Sequence, residues 1–264
     1  MHALWIDGEP ASAADLAHQV LFPYGAFTSF RVENGGVRGL GLHLARLEAS
    51  AVELFGEAVG EVRLRELMRG ALDGRRDAWL RVSLFSRQVW MREADWTGAP
   101  GVMVGVFDPP PPLASSVRLH PQAYEREAAH LKHVATFGLM RGRRLAKQAG
   151  FDDALFVGED GLISEGTVWN IGFIAGDRIV WPQGPMLAGI AQGLIEANLA
   201  AVGLLGETRP VRLHDLGAFD GAFICNSATP ACAVTAIGDR MLNTDPLMVE
   251  KLALAWGAAP AEAI

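Results

Sequence analysis

Lysine is nearly absent from this chain. Among 23 basic residues only Lys132, Lys147 and Lys251 carry an ammonium, and the other 20 are Arg. A guanidinium stays charged and cannot attack a carbonyl, whereas an ammonium can lose its proton and do so. Where Arg supplies ordinary positive charge, each Lys is a candidate for that chemistry. Lys147 and Lys251 fall in helix-like stretches among polar or charged neighbours. Lys132 lies in Ala-Ala-His-Leu-Lys-His-Val-Ala-Thr-Phe-Gly, largely apolar surroundings where a long cation needs a reason to be.

Other absences narrow the function further. The two cysteines, Cys225 and Cys232, have no Cys or His beside them at metal-site spacing, which reads as two buried thiols in a reducing compartment. No uninterrupted apolar run is long enough to span a bilayer. The opening Met-His-Ala-Leu-Trp-Ile-Asp-Gly lacks the charged and apolar regions of a secretory signal. A cytoplasmic protein with no membrane contact is the expectation. The net charge of −7 and the lack of a basic run exclude a general nucleic-acid binder, so any anion site must be local. What is present is half hydrophobic and one fifth charged over 264 residues, enough for the core of one large domain or two ordinary ones.

The pattern along the chain predicts a mixed α/β (α+β) fold. Leu4 to Asp7 reads as a strand entering the turn Gly8-Glu9-Pro10. Phe27 to Val32 and Val37 onward flank Glu33-Asn34-Gly35-Gly36, a hairpin signal. Leu44, Leu47, Ala51, Leu54 and Phe55 recur at helical spacing, with Gly56 as the stop. A second helix covers about 61–72, and strands cover 79–85 and 102–107. The prolines of Asp108-Pro-Pro-Pro-Pro112 cannot sit inside a strand or helix. They read as a connector over 109–116 between an N-terminal domain, 1–108, and a C-terminal domain, 117–264, the alternative being a proline-rich surface loop within one domain. In the second half, strands are expected at 117–120, 154–157, 162–163, 170–175, 178–181 and 222–226. Helices are expected at 139–148, 190–202 and 247–256. Hairpins mixed with helices imply mixed sheets and not a doubly wound one.

Three features could serve Lys132 as a carbonyl-attacking amine in an apolar pocket. Glu165, in Leu-Ile-Ser-Glu-Gly-Thr-Val-Trp-Asn, follows a strand and precedes a Gly. Gly189 precedes a helix whose first N–H groups, from Ile190 and Ala191, could hold a phosphate. Cys225-Asn-Ser-Ala-Thr-Pro230 places small polar residues just past a buried strand, with hydroxyls at Ser227 or Thr229. His130 and His133 bracket Lys132, but no carboxylate or third His completes a metal set, so no metal is expected. Gly35, Gly36, Gly39 and Gly41 do not follow the dinucleotide fingerprint and read as turns.

In this order and spacing these segments resemble the class IV aminotransferase family, the fold-type-IV pyridoxal-phosphate enzymes. The family includes branched-chain aminotransferases, D-amino acid aminotransferases and aminodeoxychorismate lyases. The resemblance runs from about Ile6 to Asp239. Its most specific stretch is Gly150-Phe-Asp-Asp-Ala-Leu-Phe-Val-Gly-Glu-Asp-Gly-Leu-Ile-Ser-Glu-Gly-Thr-Val-Trp-Asn-Ile-Gly-Phe173. It implies two mixed domains, pyridoxal 5'-phosphate in the cleft between them, and a homodimer acting on a small amino substrate. Lys132 would form the internal aldimine and then shuttle the Cα proton. Glu165 would accept a hydrogen bond from the pyridine nitrogen, and Asn170 would hold that segment. Arg46, in His43-Leu-Ala-Arg46-Leu, would clamp the phosphate with the Ile190 and Ala191 amides and the Ser227 hydroxyl. Phe27, Thr28, Arg31, Arg87 and Ala228 would meet the substrate.

The chain also departs from the aminotransferase pattern. Phe137 stands where a Tyr is usual, and Gly-Ile-Ala-Gln192 replaces Gly-Ile-Thr-Arg. Thr28 replaces a Glu, so that Gly-Ala-Phe-Thr-Ser-Phe-Arg is more similar to the lyases. The Arg- and Gly-rich loop shrinks to Ser86-Arg87-Gln88. Transamination and pyruvate-releasing aminodeoxychorismate lyase chemistry both remain open, since each starts with Lys132 removing the Cα proton. A catalytically idle relative kept as a binding protein is the third reading, against which Lys132 and Glu165 argue.

Overall fold

A computed structural model describes residues 1–111 and 113–264; residue 112, inside the expected connector, lies outside the described residues. In chain order the first elements are β1 (Ala3–Ile6), β2 (Glu9–Pro10), α1 (Ala13–Leu21), β3 (Ala26–Val32), β4 (Gly36–Arg38), α2 (Leu40–Phe55), α3 (Glu61–Leu72), β5 (Ala78–Phe85) and β6 (Gly101–Phe107). There follow β7 (Ser116–Ala123), α4 (Phe137–Gln148), β8 (Asp153–Val157), β9 (Ile163–Gly166), β10 (Asn170–Ala175), β11 (Arg178–Pro182) and α5 (Ile190–Asn198). The last are β12 (Leu205–Arg209), β13 (Gly221–Cys225), β14 (Cys232–Ile237), β15 (Arg240–Met241), α6 (Pro246–Gly257) and β16 (Ala261–Ala263).

The described chain folds as two compact units. Met1–Pro111, Leu131–Ala135 and Pro260–Ile264 form the first, and the rest of the described chain forms the second. Sequence position sets Lys132 in the C-terminal domain, but its segment packs with the N-terminal unit. The reason is backbone pairing. The Phe27 N–H donates to the Lys132 carbonyl and the Val134 N–H to the Gly25 carbonyl, both at 2.9 Å, while Ala26 bridges His133.

In the first unit, an antiparallel sheet runs β2-β1-β6-β5-β3. Alternation along each strand splits its residues between two faces. Phe30, Val32, Leu80, Val82, Val104 and Val106 pack against Leu40, Leu44 and Leu47 of α2 and Leu64 and Met68 of α3. Phe27, Ser29 and Arg31 lie on the opposite face, paired with Ser83, Arg81 and Trp79. Helix α2 stops at Gly56, whose φ of 80° is the left-handed conformation a Gly adopts without strain. The hairpin expected at 33–36 is only a single bridge between Glu33 and Gly36. Strand β4 instead pairs with the C-terminal β16, an interaction between residues more than 200 positions apart.

The second unit carries one mixed sheet in the order β12-β11-β10-β13-β14-β7-β8-β9, with β15 on β14. Its β11/β12, β14/β7 and β7/β8 pairs are parallel and the others antiparallel. Both faces are covered. Ala222 and Ile224 of β13 join one core with Val117 and Phe173, and Phe223 and Cys225 join another with Ala191 of α5 and Leu252 of α6. A strand buried on both faces reads as an unbroken apolar run, which is how β13 looks in sequence.

Candidate active site

Within the first unit, Phe27 and Lys132 meet directly. The backbone bond just described carries Lys132 onto the open face of β3, and its Nζ lies 5.1 Å from the centroid of the Phe27 ring. The Arg81 guanidinium lies over the same ring at 3.5 Å. Both are cation–π distances. Burial holds Arg81 below the usual guanidinium pKa. An amine and a guanidinium thus converge on one apolar platform. Arg81 was not among the sequence candidates, although it is the only charged residue in the strand Ala78–Phe85 and that could have marked it.

On the other face of β3, Thr28 points into the core. Its Oγ1 lies 2.6 Å from His43 Nδ1, and both residues are fully buried or nearly so. Sequence reading set Thr28 among the substrate contacts, next to Phe27. Strand geometry sends neighbouring side chains to opposite faces, so only one of the two can lie on the Lys132 side. His43 is pushed down to about pKa 3, first by burial and then by the positive charges of Arg46 and Lys132. Those charges put Arg46 and Lys132 in the same electrostatic neighbourhood.

This depressed pKa predicts acid sensitivity. Between about pH 6.5 and about pH 3 the unfolded chain binds a proton at His43 that the folded chain refuses. The stability of the neutral, buried form is therefore complete above pH 6.5 and is lost as pH falls towards 3. The slope from this one group is about 1.4 kcal/mol per pH unit. Urea unfolding across that range should show the slope, and His43→Phe should flatten it. An unchanged slope in the variant would remove His43 as its source.

The second unit gathers the other candidates. Glu165 on β9 is buried, with its side chain 7% exposed. Its Oε1 lies 3.3 Å from Nε of the equally buried Arg126, and its Oε2 accepts from the Leu187 N–H at 3.2 Å. The guanidinium of Arg126 also donates to the Ala129 carbonyl. Sequence reading missed Arg126, because Glu-Arg-Glu looks like a solvated charge run. Asn170, the first residue of β10, donates from Nδ2 to the Leu187 carbonyl at 2.8 Å. Leu187 therefore ties the two candidates together, one through each of its peptide groups.

The segment between Glu165 and Asn170 is pinned by Asp153. That buried carboxylate accepts from Thr167 Oγ1 and Trp169 Nε1, both at 2.9 Å, and pairs with Arg143 at 2.7 Å. With the Ala154 N–H as a fourth donor at 2.9 Å, the carboxylate is satisfied well enough to be tolerable inside the fold. Gly189, the N-cap of α5, abuts Asn170 so closely that any Cβ would collide with its Oδ1. No side chain caps α5, whose first residues Ile190 and Ala191 are buried. At the same end of the sheet, Asn226 Oδ1 accepts from the Ala228 and Thr229 N–H groups at 2.9 Å, and its Nδ2 donates to the Val168 carbonyl. Ser227 and Ala228 sit half-buried in that turn.

Two arginines expected at the substrate have carboxylate partners of their own. Arg31 lies 3.5 Å from Asp77, and Arg87 lies 2.5 Å from Asp15 of α1. Phe137 is 80% exposed at the start of α4. Neither thiol is a nucleophile at neutral pH: burial raises Cys225 well above the thiol range and Cys232 to about 11. Among the described residues, no three His, Cys, Asp or Glu side chains form a group that could hold a metal ion, and no helix is long and apolar enough to cross a membrane.

Comparison with known proteins places these features in a group. The model of the family described as amino-transferase class IV matches residues 25–237. Over 261 residues the chain is 26% identical to a Methanocaldococcus jannaschii protein named as a branched-chain-amino-acid aminotransferase, covering 92% of this chain and 88% of that one. Among solved structures it is similar to a hypothetical aminotransferase from Mycobacterium tuberculosis in its PLP-bound form. The TM-score there is 0.77 at 21% identity, covering 97% of this chain and 98% of that one. It is also similar to a Legionella pneumophila protein named as a 4-amino-4-deoxychorismate lyase, with TM-score 0.77, 19% identity and coverage of 92% and 93%.

Proposed function

Since this chain belongs to the class IV aminotransferase family, whose enzymes use pyridoxal 5'-phosphate, we propose that it transaminates an amino acid with Lys132 as the attachment lysine and proton carrier. The residues fit the cofactor chemically. Lys132 offers an ammonium set on an aromatic platform, and Glu165 a buried carboxylate for the pyridine nitrogen. Arg46 and the uncapped start of α5 each offer a group that binds phosphate. Asn170 would keep Glu165 and Leu187 in register, and Ser227 would add a hydroxyl to the phosphate. When bound, the cofactor acts as an electron sink that makes the substrate's Cα proton acidic. Lys132 would take that proton and return it to the carbon on the cofactor's side of the substrate nitrogen.

The observation that carries the substrate class is the convergence of Arg81 and Lys132 on Phe27. An amino acid presents a carboxylate one carbon from its amine, and a guanidinium and an amine that share one aromatic ring suit that pair. Phe27 would support both, while Arg31, Arg87 and Ala228 would line the approach. Thr28 no longer favours the lyase, because its hydroxyl faces His43. Arg81→Leu should raise KM for the amino acid about tenfold or more, the loss of one charge-assisted bond, with a smaller effect on cofactor retention. Conversion of the bound cofactor to pyridoxamine phosphate by a single amino acid tests the reaction. Pyruvate release from aminodeoxychorismate without an amino acceptor would establish the lyase instead, and failure to take up the cofactor would leave the idle-relative reading.

A homodimer in the cytoplasm completes the proposal. None of the residues of α1 is buried, and Val20, Leu21 and Met91 are at least 70% exposed, an apolar surface of the kind a second copy covers. Two buried free thiols suit a reducing compartment.

A further inference from the structure

We propose that the buried Thr28–His43 hydrogen bond is a positioning device for Arg46, seating its guanidinium for the cofactor's phosphate. The inference rests on the phosphate role given to Arg46 above.

The pair is out of keeping with its surroundings. Thr28 and His43 are 0% and 2% exposed, and their neighbours are the apolar cluster of Phe30, Leu40, Leu44 and Leu47. The Phe30 ring lies 4.6 Å from the imidazole. A Val facing a Leu would fill such a place with no polar atom to satisfy, so burial alone does not call for this pair. A hydrogen bond adds direction, which packing between apolar side chains supplies only loosely. The 2.6 Å contact between Oγ1 and Nδ1 fixes both the rotation and the axial register of α2 over β3.

Arg46 is the residue that this registration reaches. It lies three positions after His43 on α2, and residues three apart share one helix face. The proximity has an electrostatic trace, because Arg46 is among the charges that hold His43 neutral. Bonds from a guanidinium to phosphate oxygens weaken steeply with distance and angle, so a small rotation of α2 would be felt first there. Thr28 touches neither substrate nor cofactor in this scheme; it acts through His43 and the helix.

The test compares two ligands that differ only in the phosphate. Apo-protein prepared from the holoenzyme is titrated with pyridoxal 5'-phosphate and with pyridoxal, following intrinsic fluorescence well below the unfolding temperature of each variant. Thr28→Val should raise Kd for pyridoxal phosphate about tenfold, the effect of leaving His43 Nδ1 without its partner, and move that for pyridoxal by less than about twofold. Thr28→Ser, which keeps the hydroxyl, should restore the wild-type ratio. In an Arg46→Ala background, Thr28→Val should add nothing further. Should the valine variant not fold, Thr28→Ala makes the same comparison with less bulk. Equal loss for both ligands, or an undiminished Thr28 effect without Arg46, would overturn the inference while leaving Arg46 its phosphate role. If Arg46→Ala itself fails to weaken pyridoxal phosphate relative to pyridoxal, that role falls, and the inference with it.

Discussion

Lys132→Ala should lower turnover by about 10^4-fold or more, with no comparable loss of stability. Two functions disappear together: the covalent hold on the cofactor and the base that moves the Cα proton, a step worth about 10^2–10^4 by itself. Lys132→Arg should be almost as inactive, because a guanidinium keeps its charge and cannot release a proton near neutral pH. The fold should survive both changes. Lys132 is only half-buried on the Phe27 ring, and the hydrogen bond that ties its segment to β3 is made by its backbone carbonyl. Borohydride reduction of the wild-type holoenzyme, followed by peptide mapping, should place the reduced cofactor on Lys132. A label on Lys147 or Lys251 would reassign the chemistry, and near-normal turnover in Lys132→Ala would end the proposal.

The second large effect concerns stability and comes from a residue with no assigned chemistry. Arg126→Met should destabilise the apo-protein by about 3–5 kcal/mol at neutral pH, because it takes a buried guanidinium away from the buried carboxylate of Glu165. The Leu187 N–H remains as a hydrogen-bond donor but carries no full charge. At low pH the loss should shrink. Acid neutralises a carboxylate, and with it the need for the missing guanidinium. The double variant Arg126→Met/Glu165→Gln should recover most of the stability, since neither charge is then buried. Denaturant unfolding of the four proteins at pH 7 and pH 5 measures all of this. If the double variant is as unstable as Arg126→Met, the loss comes from packing around Arg126 and not from the ion pair.

Arg126 also bears on function. The Arg126 guanidinium, 3.3 Å from Glu165, orients the buried carboxylate, so that in its proposed role the acceptor for the pyridine nitrogen would be positioned in advance. In that role the same cation would compete for the carboxylate's electrons and temper its pull on that nitrogen. Glu165 is thus held between a permanent cation on one oxygen and a backbone donor on the other.

How much of this was legible in the sequence varied with the range of the interaction. Helix α2 could be read to its Gly56 stop, because helical periodicity and a left-handed glycine are local signals. β13 declared itself as an apolar run. By contrast α1 went unread although its signals are local: a Ser12–Asp15 capping box, and Ala13, Leu16, Ala17, Val20 and Leu21 at helical spacing. The turn expected at 33–36 forms, but its pairing stops at the Glu33–Gly36 bridge, since β4 takes its strand partner from the far end of the chain. Arg81 and Arg126 were overlooked because charge in a strand or a Glu-Arg-Glu run looks ordinary until something stands beside it.

By itself, then, the sequence determined the chemistry on offer: one lysine in apolar surroundings, a signature with Glu165 and Asn170, a glycine at a helix start, and two mixed domains. These follow from residue type and spacing, which act over a few positions. Only the tertiary structure decided direction. It turned Thr28 and Phe27 to opposite faces of β3, drew Leu131–Ala135 back to the first unit, brought Arg81 and Lys132 to the Phe27 ring, and set Arg126 against Glu165. Those outcomes depend on strand pairing and burial between segments far apart in the chain, where one step of register changes which face a side chain occupies.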